Sequence, residues 1–199
     1  ERAEHTWENN AEAVVHEVSR MAKQFDARLI VAAGDVRALE LLERDLPKDL
    51  LERLAIVSGG RAAGTDKEAT LEEARRRMQI LVDQETGRIL ERFREEVGQR
   101  DLAMEGKDNT LEALTRAQVD TLLVHDDPED DRPASFTSDP IPVAATEARL
   151  AELGVEPRTE GRLIDVLIRA ALGTGATVRV IPAESGVADN VGALLRWTA

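Results

Sequence analysis

The chain has no cysteine among its 199 residues, which excludes disulfides, thiolate zinc sites and a cysteine nucleophile. It holds three histidines. His5 and His16 fall on one predicted helix, about 16 Å apart along its axis, so they cannot share a metal and both read as surface residues. No apolar run approaches the ~18 residues of a membrane helix. Gly-x-Ser-x-Gly and Gly-Lys-Ser/Thr are both absent, which removes the usual serine-hydrolase and phosphate-loop signatures. Basic side chains are in deficit: 26 against 39 acidic, a formal charge of −13. Broad binding to nucleic-acid duplexes needs a basic face, so that charge disfavours it, although a local basic patch stays open. No cofactor pattern occurs. The start, Glu1-Arg2-Ala3, is neither Met nor a signal peptide. It reads as the interior of a longer polypeptide or a trimmed one, with the cytoplasm as default compartment.

At 42% hydrophobic and 33% charged, the composition is that of a folded, soluble chain. Trp7, Ala11, Val14, Val18, Met21 and Phe25 keep helical spacing and form one apolar stripe. Arg28 to Ala33 reads as a strand, Val36 to Leu42 and Pro47 to Leu54 as helices, and Ala55 to Val57 as a second strand. Ser58 to Gly64 follows, and Gly59, Gly60 and Gly64 make it the expected hinge. Thr65-Asp66-Lys67-Glu68 has the form of a capping box opening a long helix. Its stripe runs through Leu71, Ala74, Met78 and Leu81 to Ile89, Phe93 and Val97, with Gly87 as an interruption. Further on, Lys107 to Thr110 reads as a polar cap on a helix carrying Leu111 and Leu114. Strands are expected at Thr121–Val124, at Thr177–Ile181 and from Val191 to Trp197, and helices at Glu147–Leu153 and Leu163–Leu172. Asp126 to Pro142, rich in acids and proline, reads as an exposed loop. His125 and the acids behind it offer oxygen ligands for magnesium or calcium, but the spacing fits no calcium loop, so the metal expectation is none. Ser185-Gly186 reads as a turn. The alternation argues an α/β fold. No catalytic motif is visible.

The order of segments resembles a known family. Arg28-Leu29-Ile30-Val31-Ala32-Ala33-Gly34, Leu46-Pro47, Leu50 to Leu54 and Ile56-Val57-Ser58-Gly59-Gly60 are similar to the second half of the middle domain of archaeo-eukaryotic peptide chain release factor subunit 1 and pelota. Gly106 to Leu114 with Val119 to Val124, then Gly175 to Ile181, Ser185-Gly186 and Gly192 to Trp197, resemble the third domain. The acidic balance and the Trp7 helix look most like the bacterial branch, common in actinobacteria. The resemblance implies a partial ribonuclease-H-like middle domain over residues 1–64. An α-β-α sandwich similar to the kink-turn-binding ribosomal protein fold would follow over 65–199.

In that family a Gly-Gly-Gln loop positions water against the peptidyl-tRNA ester, and it precedes the helix that opens here, so no catalytic residue is carried over. Whether the parent polypeptide is a peptidyl-tRNA hydrolase stays open. The kink-turn contact positions correspond to Asp108, Asn109 and Glu112. Glu112 stands where those proteins carry a lysine, which reverses a phosphate-facing charge. The resemblance therefore implies protein docking, with the ribosome or a translational GTPase as partner. Two other readings stay open: a non-catalytic, stress-linked interaction module, and a metal-dependent nuclease-like enzyme.

Overall fold

A computed structural model describes residues 2–57, 67–156 and 158–198, with side chains from residue 10 onward, 67 and 69 excepted. By its internal contacts the chain forms two compact units, Glu1–Gln84 and Glu85–Ala199. The boundary expected at Gly64, the hinge glycines Gly59 and Gly60, and the Thr65-Asp66 half of the capping box lie outside the described residues.

The first unit begins with α1 (Arg2–Gln24) and β1 (Ile30–Ala33), followed by α2 (Val36–Asp45), α3 (Lys48–Leu51) and β2 (Leu54–Val57). β1 and β2 pair in parallel, Ile30 opposite Leu54 and Ala33 opposite Val57. A parallel pair needs a long crossover, which α2 and α3 supply. Asp35 caps α2 by accepting the Arg37 N–H at 2.9 Å, the usual service of a short acidic side chain at a helix start. The core gathers Ala22 of α1 with Leu42 and Leu46 at the end of α2 and Leu50 of α3, and Val15, Val18 and Ile30 lie against it. The stripe predicted for α1 is only partly covered. Ala11 is buried and Val18 half-buried, whereas Val14, Met21 and Phe25 are exposed. α1 packs on α2 along a narrower arc than its apolar face offers.

The long helix α4 (Lys67–Gln99) runs unbroken through Gly87. Its first half, counted with the first unit, leaves Leu71 and Met78 exposed, so the expected core stripe holds only from Ile89 onward. Glu73 accepts hydrogen bonds from both Arg76 and Arg77, and Glu72 pairs with Arg75.

The second unit is a three-layer sandwich. Its sheet has the order β3-β9-β4-β8, from β3 (Ala103–Glu105), β9 (Val191–Leu195), β4 (Val119–Val124) and β8 (Thr177–Val180). β4 and β8 are parallel and the other pairs antiparallel. Alternation along the strands assigns the faces. Leu122, Val124, Ala193 and Leu195 pack with Leu111 and Leu114 of α5 (Lys107–Thr115) and Leu163, Ile164 and Leu167 of α7 (Leu163–Gly173). Leu123 and Leu194 point the other way and pack with Leu90 and Phe93 of α4. The α-β-α layering expected from the resemblance is present.

The stretch read as an exposed loop is instead structured. β5 (Pro133–Phe136) is the middle strand of a second sheet, between β6 (Val143–Ala144) and β7 (Thr159–Arg162). Ala134 and Ser135 are fully buried there. Pro133 is tolerated because it is the first residue of its strand. The Ile141–Pro142 peptide is cis. α6 (Glu147–Glu152) follows, capped by the Thr146 hydroxyl.

Candidate partner-binding surface

The expected site residues lie on the first turns of α5. The helix opens at Gly106, whose φ of 85° suits glycine, and no side chain of the segment caps it. Asp108, Asn109 and Thr110 are therefore inside the first turn and do not form the cap read from the sequence. The cap comes from 82 residues away: Asp189 Oδ2 accepts the Lys107 N–H at 3.0 Å. Asp189 sits at a φ of 55° in the tight turn before β9. Its carbonyl accepts from Arg132 Nη2 at 2.8 Å. The Gly106 N–H meanwhile donates to the Val191 carbonyl at 2.9 Å. One end of the main sheet is thus held by a polar clasp that satisfies an N–H the helix leaves open.

Asn109 turns back on its own helix start, donating from Nδ2 to the Glu105 carbonyl at 3.0 Å. Glu112 accepts from Arg116 Nη2 at 2.6 Å, one turn further on. Asp108 is exposed, and its charge sits favourably on a first helical turn. Asp108 and Glu112 share a face at i,i+4 and form one wall of a cleft of ≈ 480 Å³. Val143 and Ala144 of β6 line it, with Arg149 and Leu153 from the α6 side. Thr115 fixes that wall, since its hydroxyl donates to the Val143 carbonyl and accepts from the Val143 N–H. The structure thus brings Asp108 and Glu112 to one rim, while Asn109 is spent on the helix start.

The acids after β4 are folded down onto two arginines. Asp130 takes both Nε and Nη2 of Arg132, at 2.8 and 2.7 Å. Arg162 reaches the Asp126 carboxylate at 2.6 Å and the carbonyls of Asp127 and Asp130. The Arg132 guanidinium holds the Asp130 carboxyl below the ordinary carboxylate range. The acids in turn push Arg132 and Arg162 up, chiefly through Asp130 and Asp126 respectively. His125 places Nδ1 3.2 Å from the Ile181 carbonyl, so this nitrogen carries the proton in a neutral ring. Among the described residues, no three His, Asp or Glu side chains gather to hold a metal ion. Arg132, Arg162 and Asp189 escaped the sequence reading, because their partners are set by the fold and by no local spacing.

His16 is exposed on α1, and the His5 side chain lies outside the described residues. Ser185-Gly186 forms a tight turn, with Gly186 at a φ of 76° and the Ser185 carbonyl accepting from Arg94.

Residues 1–99 match the model of "Bacterial archaeo-eukaryotic release factor family 2". Two Mycobacterium tuberculosis proteins, the uncharacterized proteins Rv2629 (strain H37Rv) and MT2704 (strain CDC 1551), are each 28% identical over 198 residues. The match covers 96% of this chain and 51% of theirs, so the chain spans about half the length of the curated relatives it matches. Among solved structures, archaeal Pelota, in a model of ribosome-bound Pelota and ABCE1, superposes with a TM-score of 0.62 at 15% identity. It covers 96% of this chain and 49% of that one, which establishes the shared fold. Over residues 1–99, the chain matches the bacterial archaeo-eukaryotic release factor family.

Proposed function

We propose that this chain is the docking and scaffold part of a translation-associated protein, working in the cytoplasm and engaging ribosomes through protein partners. The observation that carries the reading is the exposed Asp108 carboxylate at the rim of a cleft that also holds Glu112, Arg116 and Arg149, on a fold shared with a ribosome-bound protein. At the position where a kink-turn binder needs a cation, Glu112 is instead tied to Arg116. With Glu112 paired, the exposed Asp108 carboxylate suits a basic protein surface, such as a ribosomal protein or a translational GTPase, better than it suits phosphates. On this reading, any action on peptidyl-tRNA belongs to parts of a longer polypeptide.

The test is co-sedimentation with bacterial ribosomes over a salt series, with Asp108→Lys alongside. The chain should pellet at moderate salt, and Asp108→Lys should weaken that binding. If the reversal strengthens pelleting, the contact is with RNA phosphates. Failure of the chain to pellet in every ribosome state refutes the ribosome reading and favours a non-catalytic interaction module acting elsewhere.

A further inference from the structure

One side of the cleft beside α5 is a sheet edge. Among the described residues β6 pairs only with β5, Ala144 opposite Ser135 and Val143 opposite Phe136. Val143 turns both its N–H and its C=O away from β5, to the Thr115 hydroxyl. In an antiparallel pair, successive residues face alternately toward the partner strand and away from it. Ala144 is therefore the residue bonded to β5, and the N–H and C=O of Ala145 point outward on the side of Thr115. Neither finds a backbone partner among the described residues. Thr115 and Ala145 both line the cleft. One hydroxyl thus closes the edge at Val143 and leaves it open two residues on.

The rest of the cleft suits a side chain. Leu111 and Val143 supply an apolar floor, and Leu153, 45% exposed, adds an apolar wall. Four charged residues line the same space. Glu112 is paired with Arg116 at 2.6 Å, and Arg149 with Glu152 at 2.5 Å. Asp108 is exposed and has no cation paired with it among the described residues, so the charge left uncompensated is negative.

Resting on the reading of the α5 rim as a partner surface, we infer that the cleft receives an extended peptide segment of a protein partner, one carrying an apolar side chain and a lysine or arginine. The segment's backbone exchanges hydrogen bonds with Ala145, its apolar side chain rests on Leu111, Val143 and Leu153, and its cation meets Asp108. Open backbone groups on a sheet edge select an extended segment over a helix, because a helix satisfies its own N–H and C=O groups. The uncompensated carboxylate selects a cationic segment. A second copy is disfavoured because each carries a formal charge of −13, and like-charged chains repel on approach.

The probe is the synthetic peptide acetyl-Leu-Lys-Leu-Lys-Leu-amide, titrated into the isotope-labelled 199-residue chain and followed by NMR. Any cationic peptide is drawn weakly to so acidic a chain, so the readouts are the place of binding and its dependence on the peptide backbone. In the chain alone the Ala145 amide should exchange rapidly beside a protected Val143, and at saturation it should slow by ~10-fold or more. A fully N-methylated twin, with the same charge and side chains, should bind at least ~10-fold more weakly. Asp108→Asn should weaken binding by ~3-fold. Glu91→Gln, an equal change of charge at an exposed position of α4, should leave it unaltered. Equal binding of the twin, or shifts that spare Ala145, overturns the inference. So does Ala145 protection in the chain alone that rises with concentration as the chain dimerises, because a second copy then fills the edge. The two readings fail separately. A chain that passes these tests but never pellets with ribosomes refutes the ribosome partner alone, and one that pellets but fails them refutes the occupant of the cleft alone.

Discussion

Gly192 and Phe93 should behave as one energetic unit. Gly192 lies on β9 where the strand passes under the α4 layer, and Phe93 is 2% exposed above it. A Cβ added at Gly192 would sit 2.7 and 2.9 Å from Phe93 ring atoms and 3.2 Å from the Met104 carbonyl oxygen on β3. Rotating the ring relieves only part of that conflict, because the carbonyl belongs to the sheet. Overpacking of this kind costs about 1–3 kcal/mol, so Gly192→Ala should destabilise the second unit by that amount. Phe93→Ala removes the ring and leaves a cavity, at a cost of about 3–5 kcal/mol. The informative case is the double variant. With the ring gone, the alanine methyl occupies vacated space, and its own penalty falls to the residual contact with Met104. The double variant should therefore be more stable than the sum of the singles predicts, by ~1 kcal/mol or more, where independent sites add to within ~0.3–0.5 kcal/mol. Hydrogen exchange of the Leu123 and Leu194 amides reports this unit without interference from the first. Strict additivity, or a neutral Gly192→Ala, would refute the packing argument.

Four further outcomes follow from the same geometry. Asp189→Ala deprives Lys107 of its capping acceptor and should cost about 1 kcal/mol, with Asp189→Asn retaining most of the stability; chemical denaturation of the three proteins decides it. Asp130 is held low by Arg132, so its contribution is present above the unfolded value, near ~4, and is lost as pH falls through the folded value. The stability gap between the native chain and Asp130→Asn should accordingly close on acidification, and a gap that widens contradicts the ion pair. The Glu73 carboxyl, held at about 2 by Arg76 and Arg77, should titrate by NMR well below the ordinary carboxylate range and move back up in high salt, since the pairs are exposed. Ser135, fully buried with no partner for its hydroxyl among the described residues, should accept alanine at no loss, within ~0.5 kcal/mol or slightly stabilised.

Periodicity in the sequence located the regular elements well and the covering of their faces poorly. The apolar run of Leu163 to Leu172 was sufficient to find α7, which is settled by burial along its own length, and the alternation of Thr177 to Ile181 found β8 although Val180 is exposed. α1 shows the limit. Its stripe is real, yet spacing alone cannot say which arc of an apolar face meets a neighbour, and Val14, Met21 and Phe25 stay exposed. The second sheet was illegible for another reason. Proline and a run of acids are signals of local chain preference, and in β5 both are overridden by distant partners. Pro133 falls at a strand start, and Arg132 and Arg162 pair with Asp130 and Asp126 before it. β7, Thr-Glu-Gly-Arg, has no alternation to read, since its register is set by pairing with β5.

The candidate surface follows the same division. Asp108, Asn109 and Glu112 were singled out because they correspond to the kink-turn contact positions of the family the sequence resembles, and Asp108 and Glu112 do share one face. What each side chain does there depends on groups that local spacing could not supply. Asp189 takes the capping role, so Asp108 is released from it and remains at the rim, charged and exposed. Arg116, one turn on, draws Glu112 along the helix. The surface offered to a partner is therefore set by long-range satisfaction of one backbone N–H. If Asp189 is removed, Asp108 on the first helical turn can bend toward the open N–H, and the rim should then lose its exposed carboxylate. Asp189→Ala should then weaken ribosome co-sedimentation together with Asp108→Lys, although residue 189 itself lies off the rim. Asp189→Asn, which still accepts the Lys107 N–H, should leave binding unchanged. Equal binding by all three variants would separate the clasp from the surface.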